Sequence, residues 1–148
     1  MLFRSGFLVN RVLIPYVNEA VYCLQDGISI SRIDEVMSGF GMPLGPLALA
    51  DEVGLDVGYK VSKILESGYG DRMKVPELFE TIHQKDQWQG KKNKRGFYTY
   101  ESKKKLVNRD ILKMVPRGKD NKLTDEVLVQ RMVLIMLNEA SRCLDEQV

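Results

Sequence analysis

Few residues of this 148-residue chain have the type and spacing to do chemistry. Asn10 stands beside Arg11 in an otherwise apolar stretch. A neutral amide in such a stretch needs partners if it is buried. It can orient a substrate hydroxyl or a catalytic histidine without carrying charge. An ordinary helix-surface or capping asparagine fits the same position. The second candidate is Gly39-Phe40-Gly41-Met42-Pro43-Leu44-Gly45-Pro46, whose glycines and prolines fix a tight backbone and let a ligand approach closely. It lacks the Gly-Lys-Ser/Thr ending of a phosphate loop. No strand precedes it, so it is not a dinucleotide fingerprint. An interhelical turn and a ligand wall both fit it.

The other candidates are weaker. His83, the single histidine, follows Glu80 by three positions. Without a cleft and an orienting partner it reads as a surface side chain. Asp51, Glu52 and Asp56 form an acidic cluster that reads as helix caps and a solvated face. Lys91-Lys92, Lys94-Arg95 and Lys103-Lys104-Lys105 flank an aromatic segment. Basic and aromatic residues together can bind single-stranded nucleic acid, but a solvated face, or one that meets the phosphates of a ligand, fits as well. Trp88 has polar neighbours and is expected partly exposed or at an interface. No metal site is expected, because one histidine and two cysteines give no zinc-like spacing.

The elements that must position these residues are mostly helical. Apolar residues recur with helical spacing from Phe7 to Leu24, through Pro15, and Gly27 supplies a stop. Ser29 or Ser31 can cap a short helix with Ile33, Val36 and Met37 on one face. Pro46 suits the first turn of the next helix, which breaks at Gly54. Further helices are expected from Leu55 to Glu66, ended by Gly68, and from Pro76, with Leu78, Phe79 and Ile82 buried. Gly96 to Tyr100 reads as a lone strand-like segment laid against the helices. Lys122 to Glu146 is helical again, capped by Thr124 or Asp125. No strand–helix alternation appears, so the expected class is all-α.

Composition narrows the function. The length suits one domain, or one domain and a fragment, and 44% apolar content is ordinary for a globular protein. The net charge of +2 argues against a dedicated nucleic-acid binder. No apolar run reaches the roughly 18 residues of a membrane span, and no signal peptide is legible at the start. Cys23 and Cys143 cannot make a disulfide framework, so a reducing compartment is expected. The charge is uneven: from His83 to Lys122 there are 13 Lys or Arg against 4 Asp or Glu. That stretch also holds Gly90, Gly96, Pro116 and Gly118, and reads as a loop-rich connector.

An internal repeat is the most informative feature. A shift of 120 positions aligns Leu8-Val9 with Leu128-Val129 and Arg11 with Arg131. It also aligns Asn18-Glu19-Ala20 with Asn138-Glu139-Ala140, and Cys23-Leu24 with Cys143-Leu144. That is eight identities in 17 ungapped positions. Two unrelated amphipathic helices share apolar spacing but rarely a polar triplet and a cysteine, so the unit is read as duplicated. Gln130 stands where the first copy has Asn10, as expected if one copy serves a site. Packing of the two helices about a pseudo-twofold would put both cysteines on one seam.

Four segments, in order, resemble the C-terminal domain of 3-hydroxyacyl-CoA dehydrogenases. They are Gly6 to Leu13, Ile33-Asp34 with Gly39 to Pro46, Leu49 to Asp56, and Lys94 to Tyr98. The partial second copy resembles the multifunctional fatty-acid oxidation α subunit, which carries two such domains in tandem after a hydratase and a dinucleotide-binding domain. The resemblance implies a 6-phosphogluconate-dehydrogenase C-terminal-like helical fold over residues 6–101, a basic linker over 102–122, and the first helix of a second copy over 123–148. Residues 1–5, where Arg4-Ser5 replaces the family's Thr-Pro, are read as a start foreign to the domain.

It further implies that Asn10 is catalytic, helping to hold the substrate oxygen, and that Pro43, Leu44 and Gly45 lie near the acyl chain of an acyl-CoA. The catalytic histidine and its glutamate, and the binding of NAD, are implied for an upstream domain. The chain alone is therefore expected to bind no cofactor and to lack dehydrogenase activity. A homo-oligomer or a thiolase β subunit is the implied partner. A bacterial cytoplasm, or else a mitochondrial matrix, is the implied location. The alternative is a non-catalytic helical module for dimerisation or thiolase docking.

Overall fold

The computed structural model describes residues 3–85, 87–101, 103–115 and 122–148, and the side chains from Phe7 onward. Pro116 and Gly118 of the basic stretch lie outside the described residues. Among the described residues seven α-helices carry the fold: α1 Phe3–Gln25, α2 Ile30–Phe40, α3 Pro46–Val53, α4 Leu55–Tyr69, α5 Glu77–His83, α6 Arg109–Leu112 and α7 Asp125–Asp145. Two short strands, β1 Tyr98–Thr99 and β2 Leu106–Val107, pair antiparallel with Tyr98 opposite Val107. The all-α expectation holds, with this hairpin as its one departure among the described residues.

Local chemistry sets the helix ends. The Ser29 hydroxyl accepts from the Arg32 N–H and starts α2, and the Thr124 hydroxyl accepts from Val127 and starts α7. Pro46 occupies the first turn of α3. Two boundaries differ from expectation. Helix α2 continues through Gly39 and Phe40 and stops at Gly41, whose φ of +127° ends it. Helix α4 passes Gly68 and ends at Gly70, whose N–H returns to the Glu66 carbonyl. An isolated glycine lowers helix propensity without forcing a stop.

The core lies between α1, α2, α3, α5 and α7, around Tyr16, Leu24, Ile30, Ile33, Met37, Leu47 and Phe79. It reaches into the basic stretch. Trp88, Phe97, Tyr98 and Ile111 are buried there, so this is not a bare connector, and Trp88 is not exposed. Arg95 lies over the Trp88 ring at 5.2 Å. The strand-like segment is not alone either, since Leu106-Val107 pairs with it. The 102–122 region thus contributes β2 and α6 to the packing. Residues 3–5 run without a break into α1.

Helices α1 and α7 pack along one seam, and their ion pairs are reciprocal. Arg11 reaches Glu139 and Glu146 of α7's end. Arg131 reaches Glu19 and Asp26 at the end of α1. The 120-residue shift converts each set into the other. The helices are therefore antiparallel about a pseudo-twofold axis. Cys23 and Cys143 are both buried. Cys23 feels the charge of Arg131, and Cys143 interacts with Arg11. Both belong to the seam, at opposite ends, about 18 Å apart along a helix axis. Burial pushes the Cys23 thiol up to about 11.

The symmetry stops at the outer faces. Ile14, Val17 and Leu24 are buried, whereas their counterparts Leu134, Leu137 and Leu144 are 53%, 55% and 80% exposed. Replacing Leu24 by Ala should cost about 2–5 kcal/mol, while Leu144→Ala should change stability by less than about 0.5 kcal/mol. Urea unfolding of the two variants checks this, and equal losses would contradict the packing described.

Candidate functional site

Two buried aspartates organise the elements around the 43–45 loop. Asp34 lies on the inner face of α2 and is 6% exposed. Its Oδ1 accepts from the Leu47 N–H at 2.8 Å and its Oδ2 from Ala48 at 3.0 Å. These are the first free amides of α3, whose own N-cap, Gly45, has no side chain to offer. Tyr98 of β1 donates its hydroxyl to the same Oδ2 at 2.6 Å. Burial raises the Asp34 carboxyl above the ordinary range, against the pull of these donors.

Asp51, at the end of α3, is fully buried. It accepts from the Phe97 and Tyr98 amides, both at 2.9 Å, and from the Tyr100 hydroxyl at 2.8 Å. Burial pushes this carboxyl up to about 6, with the Asp34 charge adding to the rise. The expectation of a solvated acidic face is therefore corrected at Asp51, because the hairpin covers it. Glu52 and Asp56 do face outward, where they meet Lys91 and Lys92. Both aspartates demand a glycine opposite. A Cβ on Gly45 would stand 2.3 Å from the Asp34 Cβ, and one on Gly96 would stand 2.0 Å from Asp51 Oδ1. Asn108 closes the hairpin by donating to the Gly96 carbonyl at 2.8 Å.

A cavity of about 660 Å³ opens between α2, the 41–45 loop and the hairpin. Pro43, Leu44 and Gly45 line it, together with Asp34, Tyr98 and Lys105. A smaller cavity shares Leu44 and Lys105 and is bordered by Lys91 and Lys103. Lys105 itself lies over the Tyr98 ring at 4.3 Å. The basic run is thus partly tied to acidic and aromatic neighbours.

Asn10 is elsewhere. It sits half-buried in the first turns of α1 and does not line the 43–45 cavity. Its amide engages no partner among the described residues, in contrast to Asn18, which accepts from Ser62 in the core. His83 stacks on the Tyr59 ring at 4.0 Å, far in sequence and role from both places. Among the described residues no group of three His, Cys, Asp or Glu could hold a metal ion, and no helix is long and apolar enough to cross a membrane.

Sequence reading missed Asp34 and Asp51 as organisers. The signal was present. Asp34 lies at the helical spacing of Ile30, Ile33 and Met37, and Asp51 at that of Leu47 and Ala48. A carboxylate on an apolar face has to find donors.

Comparison with known proteins assigns the fold to a family. Residues 6–100 match the model of the 3-hydroxyacyl-CoA dehydrogenase C-terminal domain. The chain belongs to that family. It is 43% identical over 145 residues to the fatty acid oxidation complex subunit alpha of Vibrio campbellii, covering 98% of this chain and 20% of the relative. The Vibrio cholerae protein of the same name is 44% identical over 145 residues, again with 97% and 20% covered. The chain thus spans about one fifth of the length of these relatives. Among solved structures, (S)-3-hydroxybutyryl-CoA dehydrogenase from Ralstonia eutropha is 38% identical with a TM-score of 0.60, covering 64% of this chain and 34% of that one. The dehydrogenase part of multifunctional enzyme 1 from C. elegans shares the fold over 95% of this chain and 33% of its own, with a TM-score of 0.72 at 23% identity.

The Asp51 geometry yields a titration. Its folded value lies above that of an unfolded aspartate, so its contribution to stability is present below about 4 and is lost as pH rises through about 6. Carbon-detected NMR of the Asp51 carboxyl should titrate with a midpoint near 6. In Asp51→Asn the corresponding slope of stability against pH should vanish. A wild-type midpoint at or below the ordinary aspartate value of about 4 would refute the assignment.

Proposed function

We propose that this chain is the substrate-side helical domain of an NAD-dependent (3S)-3-hydroxyacyl-CoA dehydrogenase of fatty-acid β-oxidation, of the enoyl-CoA hydratase/dehydrogenase type. The observation that carries this reading is the ordered family match over residues 6–100, joined to relatives that are named fatty acid oxidation subunits. Asn10 is the chain's catalytic contribution. Its half-buried amide has no partner among the described residues, which leaves it free to hold a substrate oxygen. Pro43, Leu44 and Gly45 wall the larger cavity and are assigned to the acyl side.

The described residues do not fit NAD. They contain no strand–glycine loop–helix unit, and the two strands are two residues each. In this reading the dinucleotide, the histidine base and its glutamate belong to a domain outside these 148 residues. The acyl-CoA substrate, a thiolase β subunit or homo-oligomer as partner, and a bacterial cytoplasmic location follow from the same reading. Residues 123–148 are assigned to a second tandem copy. The exposed row Leu134, Leu137 and Leu144 favours this, since the matching row of the first copy is covered by α2 to α5.

The pure chain should not oxidise NADH with acetoacetyl-CoA, and turnover at any rate above background would refute the assignment of NAD to another domain. With the nucleotide-binding domain supplied, activity should appear, and Asn10→Ala should lower kcat by about 10²–10³. An unchanged kcat would remove Asn10 from the site.

A further inference from the structure

The first turns of α1 leave Asn10 half-exposed and bury its neighbour completely. Arg11 Nε donates to Glu139 at 3.3 Å and Nη1 to Glu146 at 2.7 Å. Its guanidinium lies 4.5 Å from the centre of the Tyr69 ring. Arg72 covers the same ring at 4.8 Å and reaches Glu139 Oε1 at 3.2 Å. Arg142 stands 3.8 Å from that oxygen. Glu139, only 3% exposed, therefore sits among three guanidinium groups. The cluster at the other end of the seam is plainer. Arg131 is the one guanidinium on Glu19 among the described residues, and it stands beside Gln130. The heavier cluster is at the end that carries Asn10.

We propose that Glu139 is a positioning residue for Asn10. Through Arg11 it fixes the turn from which the Asn10 amide projects, so a side chain of the second copy's helix sets the geometry of the first copy's site. This rests on the reading of Asn10 given above. The physical reason is that a buried guanidinium cannot reach water. Without Glu139 it keeps the half-exposed Glu146 and the Tyr69 ring face but loses its buried counter-ion, and the turn moves outward to solvate the charge. Asn10 is covalently adjacent and moves with it. A misplacement of about 1 Å at a reacting group is enough to cost about 10²-fold in rate.

The test uses the 148-residue chain, isotopically labelled, with NMR of the Asn10 side-chain amide and hydrogen exchange of the amides from Leu8 to Val12. In Glu139→Gln the Asn10 signal should shift, and exchange should quicken about tenfold or more. Glu139→Asp should recover part of the wild-type behaviour. Glu19→Gln, at the opposite end of the seam, should leave Asn10 unmoved. If Glu139→Gln fails to fold, Glu139→Asp takes its place with the same readout, its smaller shift of the Asn10 signal still expected. An Asn10 signal and exchange rates identical to wild type in the folded variant would overturn the proposal. In the reconstituted dehydrogenase, Glu139→Gln should lower kcat and leave KM unchanged. The two readings fail separately: an Asn10→Ala enzyme with full turnover would sink the site assignment alone, while the NMR result judges the positioning role.

Discussion

A carboxylate taken out of water must be met by donors, and Asp34 and Asp51 impose that requirement on α2, α3 and the segment from Phe97 to Tyr100. Each aspartate collects backbone amides from a segment distant in sequence, and Tyr98 links the two by giving its hydroxyl to one and its amide to the other. Helix α3 begins where Asp34 can cap it and ends where Asp51 can hold the hairpin. Gly45 and Gly96 are glycines because the carboxylates occupy the space that a side chain would need. Breaking such a contact on one side leaves a buried charge or a buried amide unpaired, at a cost of about 1–3 kcal/mol for each unmet group. The hairpin is too short to be stable by itself, so these bonds, rather than strand pairing, keep Phe97 and Tyr98 in the core.

The α1–α7 seam obeys a related constraint. An apolar helix pair can slide or invert with little penalty, because dispersion and burial are not directional. Two sets of arginine–carboxylate pairs, one at each end, remove that freedom. Sliding by one turn would separate both sets at once, and a parallel arrangement would bring Arg11 beside Arg131. The pairs therefore contribute more to orientation than to net stability, as expected where desolvation offsets the Coulombic gain.

The sequence made the helices, their caps and the repeat legible, because periodicity, cap residues and a fixed offset are local or one-dimensional signals. The shift of 120 even carried the ion-pair pattern, since Arg11, Glu19 and Asp26 recur as Arg131, Glu139 and Glu146. What could not be read was which carboxylates lie inside. Asp51, Glu52 and Asp56 look alike along the chain, yet the first is sealed under the hairpin while the others meet lysines at the surface. That difference arises from long-range packing of Phe97 to Tyr100, and the strong basic charge of that region hid its core residues. Trp88 and Ile111 were obscured in the same way. The candidate residues were legible by type, but not their separation: Asn10 and the 43–45 loop fall in different places on the surface of one domain.

Most of the residues that make the family recognisable thus act on the fold. Gly45, Asp51, Gly96 and Tyr98 hold the hairpin and α3, and a domain stripped of chemistry would need them just as much. Asn10 differs, because nothing in the described packing requires an amide there. Helix α7, aligned with α1 by the 120-residue shift, supplies the comparison. It keeps the arginine, the glutamate and the cysteine that serve the seam, but presents an exposed Gln130 at the position of Asn10. One added methylene moves the amide by more than a hydrogen bond tolerates. Asn10, which the described packing does not need, is one of the nine aligned positions at which the two helices differ, unlike the arginine and the cysteine of the seam.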